Sequence, residues 1–447
     1  MRTVYTLIIP DPGRTKLLAV RRAQQWALPE LTFAQRYFWQ VVEQINAAVR
    51  DQFGLEVTTL RCRSIVPTAA GHELQLVYEL ELRGSSESLA VEGRWIGPDA
   101  VDELPPTQRP LLTQWRAEAG AGQPTSRVPW YRPGWRDKML SWISTTLKQD
   151  GRSLTGPVEQ VRAWERSALW RAPTDHGIVY FKAVPPIFGH EPVLTAQLAE
   201  RFPACIPQVL ALDADRGWLL MGDAGTQSLI SHPEIERWEA ALRAYARMQI
   251  ELSRHTNELR TAGVPHRGPA WLRAGLRQLH VNRDSLGGAA AGLKPDEIAA
   301  LRQLEPELQA ACVRWEQSGL PLSLEHGDFS TWQVQLDDGS NRFLDWSDSS
   351  IAPPFFSMLG VFRDVPAQIL AVPDARGRLR DAYLEGWAEL VSPDTAREAF
   401  DIAQRLAPLH HALIYAVDIL PSMEQRWELA PMAPFYLRML LNIHLGD

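Results

Sequence analysis

His326-Gly327-Asp328-Phe329-Ser330-Thr331-Trp332-Gln333, followed at a short distance by Phe343-Leu344-Asp345-Trp346, is the most informative pattern in this 447-residue chain. Between the two segments, Val334 to Leu336 and Arg342 to Leu344 flank Asp337-Asp338-Gly339. An Asp-Gly pair between short apolar runs predicts a tight hairpin. That hairpin sets Gln333 and Asp345 at neighbouring ends of two paired strands, with Asp328 in the loop leading into the first.

Phosphoryl transfer from ATP asks for this set of groups. One carboxylate orients the acceptor hydroxyl and takes its proton, a role that falls to Asp328. An amide oxygen and a second carboxylate hold magnesium against the phosphates, which Gln333 and Asp345 supply. His326 then braces the loop through hydrogen bonds rather than reacting. A tripeptide alone is a common accident; the full set is not.

Working outward, Lys182 lies in Val179-Tyr180-Phe181-Lys182-Ala183, an apolar run that reads as a strand. Only five of the 46 basic residues are lysines (Lys16, Lys138, Lys148, Lys182 and Lys294), so a Lys in such a run invites a specific reason. Glu191 opens a helical pattern with Leu194, Leu198 and Phe202. A strand Lys on the α- and β-phosphates, held by a Glu from the next helix, is the arrangement kinases use. The bland alternative is a strand-edge Lys beside a helix that begins with a favourable acid.

With these motifs in place, residues from about 153 to 447 resemble the aminoglycoside phosphotransferase and choline kinase-like superfamily. The resemblance implies a protein-kinase-like fold: a β-rich N-lobe, a hinge and a helical C-lobe. It further implies that Leu219-Leu220-Met221-Gly222-Asp223-Ala224-Gly225 is the hinge, with Met221 and Asp223 near adenine. Ser167 falls where that family places its nucleotide loop, although Trp164 to Ala168 contains no Gly. Two other departures stand out. The family usually has Asn where this chain has Gln333, and Ala352-Pro353-Pro354-Phe355-Phe356-Ser357 lacks the acidic residues common after the metal-binding Asp.

The first hundred residues read as mixed α and β. Leu74, Leu76, Tyr78, Leu80 and Leu82 alternate as in a half-buried strand. Phe38, Val42, Ile45, Val49 and Phe53 recur at helical spacing, with Gly54 as the stop. Shorter strands are expected at 4–9, 17–20 and 57–66, and a Gly-, Pro-, Ser- and Thr-rich linker from Ala117 to Pro133. Trp26-Ala27-Leu28-Pro29, the helix ending at Gly54, and Glu92-Gly93-Arg94-Trp95-Ile96 resemble a Nudix domain. Aligned on Gly54, Ala47, Ala48 and Gln52 stand where Arg and Glu would be expected, and only Asp51 keeps a carboxylate. A binding, regulatory or dimerising role is therefore expected there rather than hydrolysis.

Charge and composition exclude several classes. Residues 1–120 carry 13 Lys+Arg against 14 Asp+Glu, and no basic stripe appears, so nucleic acid is not an expected partner. Residues 326–447 carry 9 against 17, a net of −8, which suits solvated helix faces or a pocket for magnesium and a cationic substrate. No apolar run approaches the roughly 20 residues that cross a bilayer, and the N-terminal segment lacks a signal-peptide pattern. Three scattered cysteines support neither a disulfide framework nor a zinc site. The expectation is a cytoplasmic α+β protein: a degenerate Nudix-like domain (1–118), a linker with a short helix (119–152), a kinase-like N-lobe and hinge (153–228), and a helical C-lobe (229–447). It would transfer the γ-phosphate of ATP, with Mg2+, to a hydroxyl of a small molecule. The alternatives are a pseudokinase-like nucleotide-binding or regulatory protein and, third, a Nudix hydrolase.

Overall fold

The computed structural model describes residues 2–67, 73–84, 89–122, 124–225, 227–281, 292–337 and 339–445, which form two compact units divided after Pro185. The first unit contains β1 (Arg2–Ile8), β2 (Leu17–Arg22), β3 (Gln25–Ala27), β4 (Glu30–Leu31), α1 (Glu43–Phe53), β5 (Val57–Pro67), β6 (Glu73–Leu82) and β7 (Gly93–Ile96). Then come α2 (Arg109–Ala121), α3 (Trp135–Gln149) and the antiparallel meander β8 (Glu159–Trp164), β9 (Ser167–Thr174) and β10 (Gly177–Ala183).

A mixed sheet in the order β4-β1-β6-β5 pairs β1 with β6 in parallel, and β3-β2-β7 forms a second, antiparallel sheet. The alternation read at 73–83 becomes β6, with Leu74, Leu76, Tyr78 and Leu80 buried. As a central strand it is covered on its other face too, where Val77 packs with Leu112 and Trp115 of α2. α1 is shorter than its spacing suggested. It begins at Glu43, and Phe38 is 74% exposed outside it, while Val42, Ile45, Val49 and Phe53 are buried. Gly54 ends the helix as expected, at φ 71° in the left-handed region, and its amide donates to the Arg50 carbonyl. α2 runs on to Ala121, across the first residues of the linker expected from Ala117.

Two buried polar clusters knit this unit together. Gln160 on β8 behaves like a piece of strand: its Oε1 accepts from Asn46 Nδ2 (3.0 Å) and Thr59 N (2.9 Å), and its Nε2 donates to Thr59 O (2.8 Å). Thr59 Oγ1 closes the ring on Asn46 Oδ1 at 2.8 Å. α1, β5 and β8 are thereby tied together through the Gln160 side chain. On β6, Glu79 is buried among Arg14 (2.6 Å), Arg61 (3.0 Å), Arg63 (2.9 Å) and the Trp115 indole N–H (3.1 Å). Burial raises its pKa, but the arginines overcome that and hold it at about 2 instead of the usual 4.5. A folded-state pKa below the unfolded one stabilises fully above the unfolded value and fades as pH falls toward the folded one. Stability should therefore drop between pH 4.5 and 2. Denaturant midpoints at pH 7 and pH 3 should differ less in Glu79→Gln than in the wild type; an equal difference would show that Glu79 does not govern the acid limb.

The second unit holds α4 (Glu191–Arg201), β11 (Val209–Asp213), β12 (Trp218–Gly222), β13 (Gln227–Ser228) and α5 (Ile235–Ser253). It continues through helices Pro269–Val281 and Pro295–Gln317 to β14 (Ser323–Glu325), β15 (Val334–Asp337), β16 (Ser340–Phe343) and β17 (Ser350–Ala352), and ends in helices that include Pro393–Leu413 and Met432–Leu445. Helices dominate after Glu234 and are interrupted by the strands that lie between Ser323 and Ala352. One large apolar cluster fills the unit, and Gln249 of α5 sits inside it. Its Nε2 donates to the carbonyls of Leu324 (2.8 Å) and Pro354 (3.1 Å), and its Oε1 accepts from the Tyr383 hydroxyl at 2.5 Å. This fixes β14 and the turn after β17 on the helical core. Among the described residues, no helix is long and apolar enough to cross a membrane.

Candidate active site

Two short antiparallel ladders frame the site. β14 pairs with β17, and β15 pairs with β16, with Val334 opposite Phe343. The loop 326–333 runs from the first ladder to the second, and the loop 344–349 returns. The hairpin read from the sequence is thus present; of its expected turn, Asp337 and Gly339 are described and Asp338 lies outside the described residues. The ladder continues one residue further, because Leu344 N donates to the Gln333 carbonyl at 2.9 Å. Gln333 and Asp345 therefore leave adjacent strand ends. β13 adds a third strand, with Gln227 opposite Leu336.

The pattern of burial aims the first loop. His326, Phe329 and Thr331 are buried, whereas Asp328 and Trp332 are exposed. Phe329 stacks on Tyr245 at 4.0 Å and 16°, an anchor that turns its neighbour Asp328 outward. His326 Nε2 donates to the Leu344 carbonyl at 2.9 Å, and its ring lies 4.6 Å from that of Trp346. The imidazole does brace the two loops, as expected. Burial lowers its pKa, opposed by Asp345, Glu325 and Asp348, so it is a neutral donor at Nε2. Gly327 has φ 79°, and a Cβ there would sit 2.6 Å from the carbonyl carbon of Asp348. The two loops touch at that point, backbone against backbone. Asp345 also adopts the left-handed region, at φ 64°, and its Oδ1 accepts from the Ser347 hydroxyl at 2.8 Å.

Sequence reasoning missed the groups beneath the loop. Glu325 is fully buried: Oε1 accepts from Gly327 N (2.8 Å) and the Ser357 hydroxyl (3.0 Å), and Oε2 meets His410 Nε2 (3.2 Å). Burial raises its pKa, yet the bonds from His410 and Gly327 and the nearby imidazoles outweigh that and hold it at about 2. Arg267 forms a second tie, from Asp418 (2.8 Å) to the Asp348 carbonyl (3.3 Å). The one signal in the sequence was an acid at the end of a short strand, immediately before His326.

The remaining expected residues are distributed as follows. Glu191 is buried at the first turn of α4. Met221 lies next to the end of β12, opposite Val209, and the exposed Asp223 accepts from Gly225 N at 3.1 Å. Lys182 and Ser167 belong to the first unit. Lys182 is buried on β10 opposite Leu169. Ser167 opens β9 after a tight turn at Glu165-Arg166, and its Oγ accepts from the Trp164 indole at 2.9 Å. The structure brings Asp328, Gln333 and Asp345 together on two braced loops.

Gln333 and Asp345 present one amide oxygen and one carboxylate. Among the described residues no three His, Cys, Asp or Glu side chains converge on a cage. An amide and a carboxylate are oxygen donors of the kind that a hard cation such as Mg2+ takes, with one or two protein ligands and a shell completed by water and phosphate.

No family model matches the sequence, and no curated protein matches it. Among solved structures, the chain is similar to a choline/ethanolamine kinase family protein from Mesorhizobium loti, at 15% identity and TM-score 0.47, over 69% of this chain and 94% of that one. It is similar to a macrolide 2'-phosphotransferase type I at 16% identity and TM-score 0.43, over 67% of this chain and 96% of that one. An aminoglycoside phosphotransferase from Streptomyces rimosus, in complex with ADP and streptomycin, gives 18% identity and TM-score 0.39, over 62% of this chain and 98% of that one. With every TM-score below 0.5, what those proteins bind and act on is theirs alone.

Proposed function

We propose that this chain is a phosphotransferase that moves the γ-phosphate of ATP to a hydroxyl of a small molecule. One observation carries the proposal: an outward-facing carboxylate, Asp328, shares two cross-braced loops with the amide of Gln333 and the carboxylate of Asp345. In this role Asp328 orients the acceptor hydroxyl and takes its proton as the oxygen attacks phosphorus and ADP leaves. Gln333 and Asp345 would hold Mg2+, which when bound offsets the charge of the phosphates. Lys182 would grip the nucleotide with Glu191 orienting it, while Ser167, Met221 and Asp223 lie along the nucleotide. Residues 153–228 and 229–447 then act as N-lobe with hinge and as C-lobe of a kinase-like fold. For residues 1–118 we infer a binding or regulatory role, since Asp51 is the one acid on α1 at the expected positions and it is exposed.

ADP release from ATP, screened against aminoglycosides, amino alcohols, nucleosides and sugars, tests the activity; nucleotide binding with no turnover for any acceptor would favour the impaired, regulatory reading. Gln333 motivates that second reading, because its stem is one methylene longer than that of Asn. A magnesium titration separates the two. In an adapted enzyme Gln333→Asn leaves the oxygen short, and turnover falls about tenfold or more. In a chain drifting from catalysis, restoring Asn raises magnesium affinity and turnover. Asp345→Ala should weaken ATP binding in the presence of magnesium and leave metal-free binding alone; equal affinities under both conditions would remove Asp345 from the metal site.

A further inference from the structure

We propose that Glu325 is a positioning residue for the transfer loop: clamped by Ser357 and His410, its carboxylate fixes the backbone from which Asp328 projects. The inference rests on the phosphotransfer role of Asp328. An ionised carboxylate with no exposed surface is costly to keep unless its lone pairs are filled, and here the partners come from three separate parts of the chain. Gly327 N reaches Oε1 at 2.8 Å from the loop itself. Ser357 donates its hydroxyl at 3.0 Å from the turn Pro354–Ser357. His410 Nε2 lies at 3.2 Å, on helix Pro393–Leu413.

The same hydroxyl of Ser357 accepts from His326 N at 3.2 Å and is 2.9 Å from the Tyr245 hydroxyl. The donor order is consistent throughout: Tyr245 and His326 N donate to Ser357, and Ser357 donates to Glu325. Consequently both backbone amides immediately preceding Asp328, those of His326 and Gly327, terminate on the Ser357–Glu325 pair. Phe329 fixes the chain on the other side of Asp328 by stacking on Tyr245. Asp328 itself is exposed, and these flanking contacts fix the backbone from which it projects. A displacement of about 1 Å in a catalytic group costs up to about 10²-fold in rate, which is the lever the pair controls.

If Glu325 only filled space, any side chain that folds in its place would support normal turnover. As a positioning residue, it needs an acceptor oxygen at Oε1. Glu325→Gln keeps that oxygen, Glu325→Ala removes it, and Ser357→Ala removes the hydroxyl through which His326 N is held. ADP release from MgATP, with the best acceptor of the screen or water, should be measured for all three beside Asp328→Asn, together with equilibrium nucleotide binding. Glu325→Ala should lose about 10²-fold in kcat and Ser357→Ala about tenfold, each with nucleotide affinity within about threefold, while Glu325→Gln stays within about fivefold of wild type. Should Glu325→Ala not fold, Ser357→Ala decides alone. Wild-type kcat in folded Glu325→Ala or Ser357→Ala, with Asp328→Asn dead, overturns the positioning role and leaves the phosphotransfer proposal standing. Wild-type turnover in Asp328→Asn overturns the phosphotransfer proposal itself.

Discussion

Asp328→Asn should lower phosphate transfer by about 10²–10⁴-fold while folding and nucleotide affinity stay at wild-type levels. The range is what one positioned general base contributes. Asn has nearly the shape of Asp and the residue is exposed, so the fold should tolerate the change. It can still orient a hydroxyl through its amide oxygen, but it cannot take a proton at neutral pH. The loss should therefore appear in kcat rather than in KM for ATP. Measured turnover close to wild type would mean that another group accepts the proton, and the acceptor site would have to be sought elsewhere.

Gly327→Ala should be the more damaging change, because it strikes structure and activity together. At φ 79° an L-residue already costs about 1–2 kcal/mol. The added Cβ would also press into the backbone carbonyl of Asp348, 2.6 Å from its carbon, and backbone cannot rotate aside as a side chain can. Relief requires the loops 326–333 and 344–349 to part, and with them the His326–Leu344 bond and the Gly327–Glu325 bond. A destabilisation of about 4 kcal/mol or more follows, at the upper end for single substitutions. Urea unfolding of the two proteins checks this; a difference below about 1 kcal/mol would show that the loops are not packed as described.

Local chemistry made part of this molecule legible from sequence. The hairpin could be read because an Asp-Gly turn between short runs has few other outcomes, and with it came the adjacency of Gln333 and Asp345. β6 and the Gly54 stop were legible for similar reasons, as periodicity and left-handed backbone are local properties. Phe38 misled because helical spacing continues by chance beyond a helix whose first residue is Glu43. Glu325, Ser357 and His410 escaped detection for a different reason. Their contacts join positions 32 and 85 residues apart, and no periodicity links such partners. The left-handed backbone at Asp345 was equally hidden, since acids adopt it only where their surroundings dictate.

The Gln160 ring bears on how such a chain can be inherited. Asn46, Thr59 and Gln160 exchange four hydrogen bonds across a span that includes the segment 119–152, where the composition suggests a joint. A recombination event at that joint would bring Gln160 into a foreign neighbourhood with its amide buried and unmet, at a cost of about 1–3 kcal/mol for each stranded group. Descendants carrying only one side of the joint would need a compensating change at residue 160 before they could prosper. Exchange of either stretch alone therefore carries a stability cost that the Gln160 ring imposes.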